Sequence, residues 1–132
     1  MIDQLHKAAA AARQKAYAPY SKFKVGAALL GADGKIYAAA NVENAAYPQG
    51  QCAEASAIGV MIAAGCQEIA EIMVVAESAG PDPVAPCGGC RQRLSEFAGS
   101  AVKVHMADEK GVTFTTTIGE LLPHSFGPKQ LA

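Results

Sequence analysis

Residues 52–77 read CAEASAIGVMIAAGCQEIAEIMVVAE: a greasy helical run, a glycine, then a short β-branched run. From Ala55 to Ala64 nothing is charged and apolar positions surround the helix on nearly every side, a pattern that requires burial in a core or against a neighbouring subunit. Gly65 is the expected C-cap, and Ala70–Glu77 has the composition of a buried strand. One residue resists this reading. Glu54 sits in the first turn of the helix, where a carboxylate surrounded by apolar groups needs a partner or a task.

Downstream the alternation repeats. SAGPDPVAP (78–86) is a loop, Cys87 to Phe97 a second helix, AVKVHM (101–106) a strand, ADEKG (107–111) a turn, VTFTTT (112–117) a strand and IGELLPHSFG (118–127) a tail. Upstream, the first seventeen residues read as an Ala-rich helix that stops before APYS, where Pro19 biases Ala18 away from helical angles. FKVGAALL (23–30) and KIYAAANVE (35–43) flank GADG, whose Asp33-Gly34 is a two-residue turn signal, so a β-hairpin is expected there. NAAYPQGQ (44–51) is a loop leading into the helix at Cys52. Helices alternating with strands after an initial hairpin imply a layered α/β fold with a mixed sheet.

At 132 residues one domain over 1–132 is expected, and 51% hydrophobic composition rules out disorder. The absence of a long apolar run argues against a membrane span, and the charges in MIDQLHKAAAAARQK against a secretory leader, so a cytoplasmic protein is expected. Eleven Lys+Arg against twelve Asp+Glu, scattered along the chain, make a poor footprint for a nucleic-acid polymer and suit a small ligand better.

Three of the four cysteines point at one place. Cys87 and Cys90, in APCGGCRQRL, lie three apart on the first turn of one helix, and Cys52 holds the same position on the other. Helices that follow parallel strands begin at the same edge of a sheet, so the two starts can meet. Unpaired N–H groups and the helix dipole favour thiolates there. Gly88 and Gly89 are expected to let the backbone approach sulfur closely. Three thiolates leave the fourth tetrahedral position of a zinc ion open, as catalysis requires, and Glu54 is placed to exchange a proton with water held there. CxxC alone is a weak signal, open to a structural zinc knuckle, a redox pair or two buried cysteines. C-x-E followed 35 residues on by P-C-x-x-C is far more specific, being a known signature of zinc nucleobase deaminases.

From YAPYSKFKVGAALL to ELLPHSFGP the chain resembles the small, three-cysteine cytidine deaminases of pyrimidine salvage. The resemblance implies a three-layer α/β/α sandwich with a mixed five-stranded sheet, and one zinc ion per subunit on Cys52, Cys87 and Cys90. It implies hydrolytic deamination of cytidine and 2'-deoxycytidine to the uridines and ammonia, with Glu54 carrying the protons. NVENAAYPQGQCAE is similar to the family's segment that joins the ribose site to the metal. By that likeness Asn41 and Glu43 bind ribose hydroxyls, Phe23 packs on the pyrimidine, the Ala53 N–H holds the base carbonyl, and the Ala85 carbonyl accepts from the exocyclic amine. The family forms homotetramers whose active sites are completed by neighbouring subunits, and Tyr47 and Phe126 match the residues that reach across.

One position departs from the family, which usually has arginine after the catalytic glutamate; here it is Ala55. Zinc with three thiolates carries a net negative charge, which makes bound water harder to deprotonate. Arg91 is the first candidate to compensate, then Arg93 and the helix N-termini. Cys66 reads as a small buried hydrophobe, and His6, His105 and His124 as surface or satisfied-core residues. Rival readings are deamination of a nucleoside analogue such as blasticidin S, a thioredoxin-like redox pair, a non-catalytic zinc module, and a polynucleotide editor.

Overall fold

The first helix, α1 (Ile2–Gln14), is shorter than its composition suggests. Tyr17 leaves the helix because its backbone is claimed by a distant strand end: its N–H donates to Asn41 O at 3.0 Å and its carbonyl accepts from Glu43 N at 2.8 Å. The computed structural model describes residues 1–131, so position 132 of the expected domain lies outside the described residues. After α1 come β1 (Val25–Gly31), β2 (Ile36–Ala40), α2 (Ala53–Ala63), β3 (Ile69–Ala76), α3 (Gly88–Phe97), β4 (Lys103–Asp108), β5 (Gly111–Thr117) and a short α4 (Ile118–Leu121).

The strands form one sheet in the order β2-β1-β3-β4-β5, with β3 and β4 parallel and the other three pairings antiparallel. The β1–β2 hairpin forms where Asp33-Gly34 marks it, but with a longer loop than two residues. Gly31 N donates to Lys35 O and Gly34 N to Gly31 O, and Gly34 takes the left-handed φ of +81°. The Asp33 carboxylate accepts from Lys35 N and from the Tyr37 hydroxyl, which fixes this loop at the cost of the tighter turn. The second hairpin also shifts: β4 runs on to Asp108, leaving Glu109-Lys110 as its turn.

Three layers result. α1 packs Leu5 and Ala9 against Ala28, Met73, Val75 and Ala107 on one face of the sheet. The other face carries α2 and α3, whose Ala57, Met61 and Leu94 meet Leu29, Ile72, Val74 and Val104. Each fully buried leucine, Leu5 and Leu94 among them, stabilises the fold by roughly 1.5–3 kcal/mol. The approach of α1 to β1 depends on Gly26, where a Cβ would stand 2.0 Å from Ala9 O. His105 is a satisfied core residue: Nδ1 lies 2.8 Å from Thr115 Oγ1 and Nε2 2.5 Å from Glu71 Oε2.

α2 ends as its glycine predicts. Gly65 (φ +93°) donates to Ile62 O and Cys66 N to Met61 O, which satisfies two of the last carbonyls. β2 and β3 run in the same direction because each is antiparallel to β1. α2 follows β2 and α3 follows β3, so both helices start beyond the same edge of the sheet.

Candidate active site

Each of these helices begins on a cysteine. Cys52 and Cys87 occupy the N-cap positions of α2 and α3 in extended conformation (ψ 155° and 167°), and neither thiol caps its own helix. Ser, Thr, Asp or Asn is the usual choice at an N-cap because its oxygen bonds the first-turn N–H groups. A thiol in that place is free to face outward. Cys90 follows one turn into α3, and the three sulfurs lie within 4.8 Å of one another. Tetrahedral zinc at about 2.3 Å from each sulfur needs S···S separations of roughly 3.8 Å, so the set fits that ion with little movement.

The thiols differ in environment. Cys90 is fully buried, Cys52 partly so and Cys87 exposed. Burial pushes the Cys90 and Cys52 thiols up from the ordinary cysteine range. The Cys87 thiol is held down, chiefly by the backbone N–H of Cys90. Glu54 is 4% exposed, and burial raises its carboxyl above an ordinary glutamate, opposed by its own N–H and by the Cys90 thiol. A carboxyl raised by burial beside a metal site suits proton transfer.

Cys52, Ala53, Glu54, Ala85 and Cys87 line a cavity of about 400 Å³ together with Phe23, Asn41, Glu43 and Tyr47. Val74 of β3 and Val84 add apolar surface. An adjoining hollow of about 350 Å³ shares Ser21, Glu43, Tyr47 and Gly50 but none of the cysteines, so Glu43 lies toward the end away from the sulfurs. The loop bearing Tyr47 is pinched shut by Val42 and Gln51, which exchange backbone hydrogen bonds of 2.9 and 2.8 Å. Asn41 and Glu43 follow β2 and face the same way, toward the segment 20–25. Asn41 Oδ1 accepts from Val25 N at 2.9 Å, and its Nδ2 donates to Phe23 O at 2.8 Å. Glu43 Oε1 accepts from the N–H groups of Tyr20 and Ser21 at 3.0 and 3.1 Å, and the Ser21 hydroxyl donates to Oε2. These donors, Ser21 Oγ first, hold the Glu43 carboxyl below the ordinary range.

The Arg91 guanidinium donates from Nε to Pro86 O (2.9 Å) and from Nη1 to Leu121 O (3.0 Å), and among the described residues none of its hydrogen bonds reaches a sulfur. Its fork holds backbone carbonyls. Apart from its chain neighbours and the backbone of its own helix, a Cβ at Gly88 would meet nothing within 4 Å and one at Gly89 only Arg93 Nη1. Phe126 is 56% exposed and does not line this cavity; its carbonyl accepts from Gln92 Nε2. Ser21 was not legible as a site residue, since its partner lies 22 positions away and no spacing marks it.

Three clustered thiols and a buried carboxylate beside a cavity define a hydrolytic zinc site. Residues 1–106 match the family profile described as the cytidine and deoxycytidylate deaminase zinc-binding region. The chain is 41% identical to a cytidine deaminase of Sporosarcina psychrophila, covering 99% of this chain and 95% of that protein. It superimposes on the crystal structure of cytidine deaminase from Burkholderia pseudomallei with a TM-score of 0.88 and 46% identity, covering 96% of this chain and 99% of that one. For the Mycobacterium tuberculosis enzyme the TM-score is 0.80 at 34% identity, over 95% and 96% of the two chains. The chain belongs to the cytidine and deoxycytidylate deaminase family.

Proposed function

We propose that the protein deaminates cytidine and 2'-deoxycytidine hydrolytically, releasing ammonia, in pyrimidine salvage. The observation that carries this reading is Glu54, buried beside three convergent sulfurs in a cavity whose lining includes Phe23, Asn41 and Glu43. Zinc on Cys52, Cys87 and Cys90 supplies, when bound, Lewis-acid activation of water at neutral pH.

The remaining chemistry belongs to the chain. Glu54 takes a proton from the attacking water, delivers it to N3 of the pyrimidine, and carries a second proton to the departing amine as C4 becomes a carbonyl. The Ala53 N–H, at the first position of α2, holds the base carbonyl oxygen, and the Ala85 carbonyl accepts from the amine. Because these contacts are backbone, alanine suffices at both positions. Phe23 packs on the ring, and Asn41 and Glu43 read the sugar. No Lys or Arg is among the described residues lining the cavity, and the Glu43 carboxylate stands there. A nucleoside therefore fits where its phosphate would be repelled.

The protein acts as a single domain in the cytoplasm and assembles as a homotetramer, with Tyr47 and Phe126 completing neighbouring sites. Val60 and Ile62 on the outer side of α2 are 46% and 39% exposed, and Tyr47 is 76% exposed, which supports burial against other subunits. Among the described residues no helix is long and apolar enough to cross a membrane. Incubation with cytidine, 2'-deoxycytidine and blasticidin S, following ammonia release, tests the substrate. Turnover of cytidine that disappears in Glu54→Gln is expected, and preferential turnover of blasticidin S would overturn the reading.

A further inference from the structure

The segment 20–23 is folded around one carboxylate. Lys22 adopts the left-handed φ of +61°, uncommon for a residue with a side chain, and just before it the N–H groups of Tyr20 and Ser21 donate to Glu43 Oε1. The Ser21 hydroxyl accepts from Phe23 N at 3.0 Å and donates to Glu43 Oε2, so its single proton is committed to the carboxylate. A carboxylate offers about four acceptor sites. Three are filled by this segment, and Ser21 supplies two of the three donors. The one left belongs to Oε2, and Glu43 and Ser21 both line the cavity.

We propose that Ser21 is a positioning residue for substrate selection: it locks the Glu43 carboxylate so that one oxygen lone pair accepts one sugar hydroxyl. The proposal rests on the reading of Glu43 as a sugar contact. Without the Ser21 hydroxyl, Oε2 is free to rotate or take up water, and the preorganisation that distinguishes a hydroxyl from a hydrogen is lost. Ser21 is exposed, so its truncation leaves no cavity in the core.

The test is steady-state kinetics on cytidine, 2'-deoxycytidine and 3'-deoxycytidine with the wild type, Glu43→Gln, Ser21→Ala and Ser21→Thr, alongside zinc content and thermal midpoint. Ser21→Ala is expected to raise KM for cytidine about tenfold, the worth of one charge-assisted hydrogen bond, with kcat nearly unchanged. It should also shrink the penalty for deleting the hydroxyl that Glu43 reads, and Ser21→Thr should restore both. If Glu43→Gln leaves that penalty intact, the underlying reading of Glu43 fails. If Glu43→Gln removes the penalty while Ser21→Ala leaves KM and penalty alone, the Ser21 proposal is overturned. Equal losses on all three substrates with a lowered thermal midpoint would also overturn it, leaving Ser21 a plain loop scaffold.

Discussion

Glu43 and Glu54 are the same residue type, lining the same cavity, with opposite environments. Glu54 is enclosed by apolar groups and sulfur, and burial drives its carboxyl upward. Glu43 receives two backbone N–H groups and a hydroxyl, and its carboxyl is driven downward. A carboxyl pushed upward by burial is suited to take and return a proton; one held downward stays ionised and can only accept. The division of labour between chemistry and recognition is thus set by what surrounds each side chain.

The comparison can be broken most decisively at the metal. Cys90→Ala, or chelation of the wild type, should remove zinc and essentially all turnover, measured by metal analysis and ammonia release, because two thiolates do not hold the ion in this geometry. Glu54→Gln should lower kcat by roughly 10²–10⁴-fold with zinc retained, the usual range for a lost general acid–base. Retention of most activity would end its role as proton carrier. Glu43→Gln should act on the other parameter, raising KM by about ten- to a hundredfold while kcat changes little.

Stability should move in opposite directions too. In metal-free protein Glu54→Gln removes a buried, poorly compensated carboxylate and should raise the thermal midpoint, whereas Glu43→Gln should lower it. The Glu43 effect has a defined pH window. Its folded carboxyl is held below the unfolded value of about 4.3, so its stabilisation is present above that pH and lost as pH falls through the lower folded value. Midpoints of wild type and Glu43→Gln should therefore converge in acid.

The two ends of the cavity also differ in how far the sequence discloses them. The metal end is written in local spacing: a cysteine two residues before a glutamate, then two cysteines one turn apart, each group at a helix start that the pattern of elements foretells. The sugar end is not. Asn41 and Glu43 taken alone are polar residues after a strand, and the resemblance to a family is what singles them out. Their supports, Ser21 and the N–H groups of Tyr20 and Val25, are far away in sequence and carry no motif. The same long-range pairing shortens α1, since Tyr17 bonds to Asn41 and Glu43 instead of continuing a helix that its neighbours favour. Arg91 is marked in the sequence only by its place beside a ligand, whereas the carbonyls 5 and 30 positions away that receive its fork carry no motif.

That fork has a practical consequence. One guanidinium fastens the Pro86 carbonyl, next to a zinc ligand, to Leu121, and the following glutamine grips Phe126. Trimming the C-terminus back past Leu121 would therefore slacken a loop more than thirty residues upstream, beside a zinc ligand, as well as strip a side chain packed on the core.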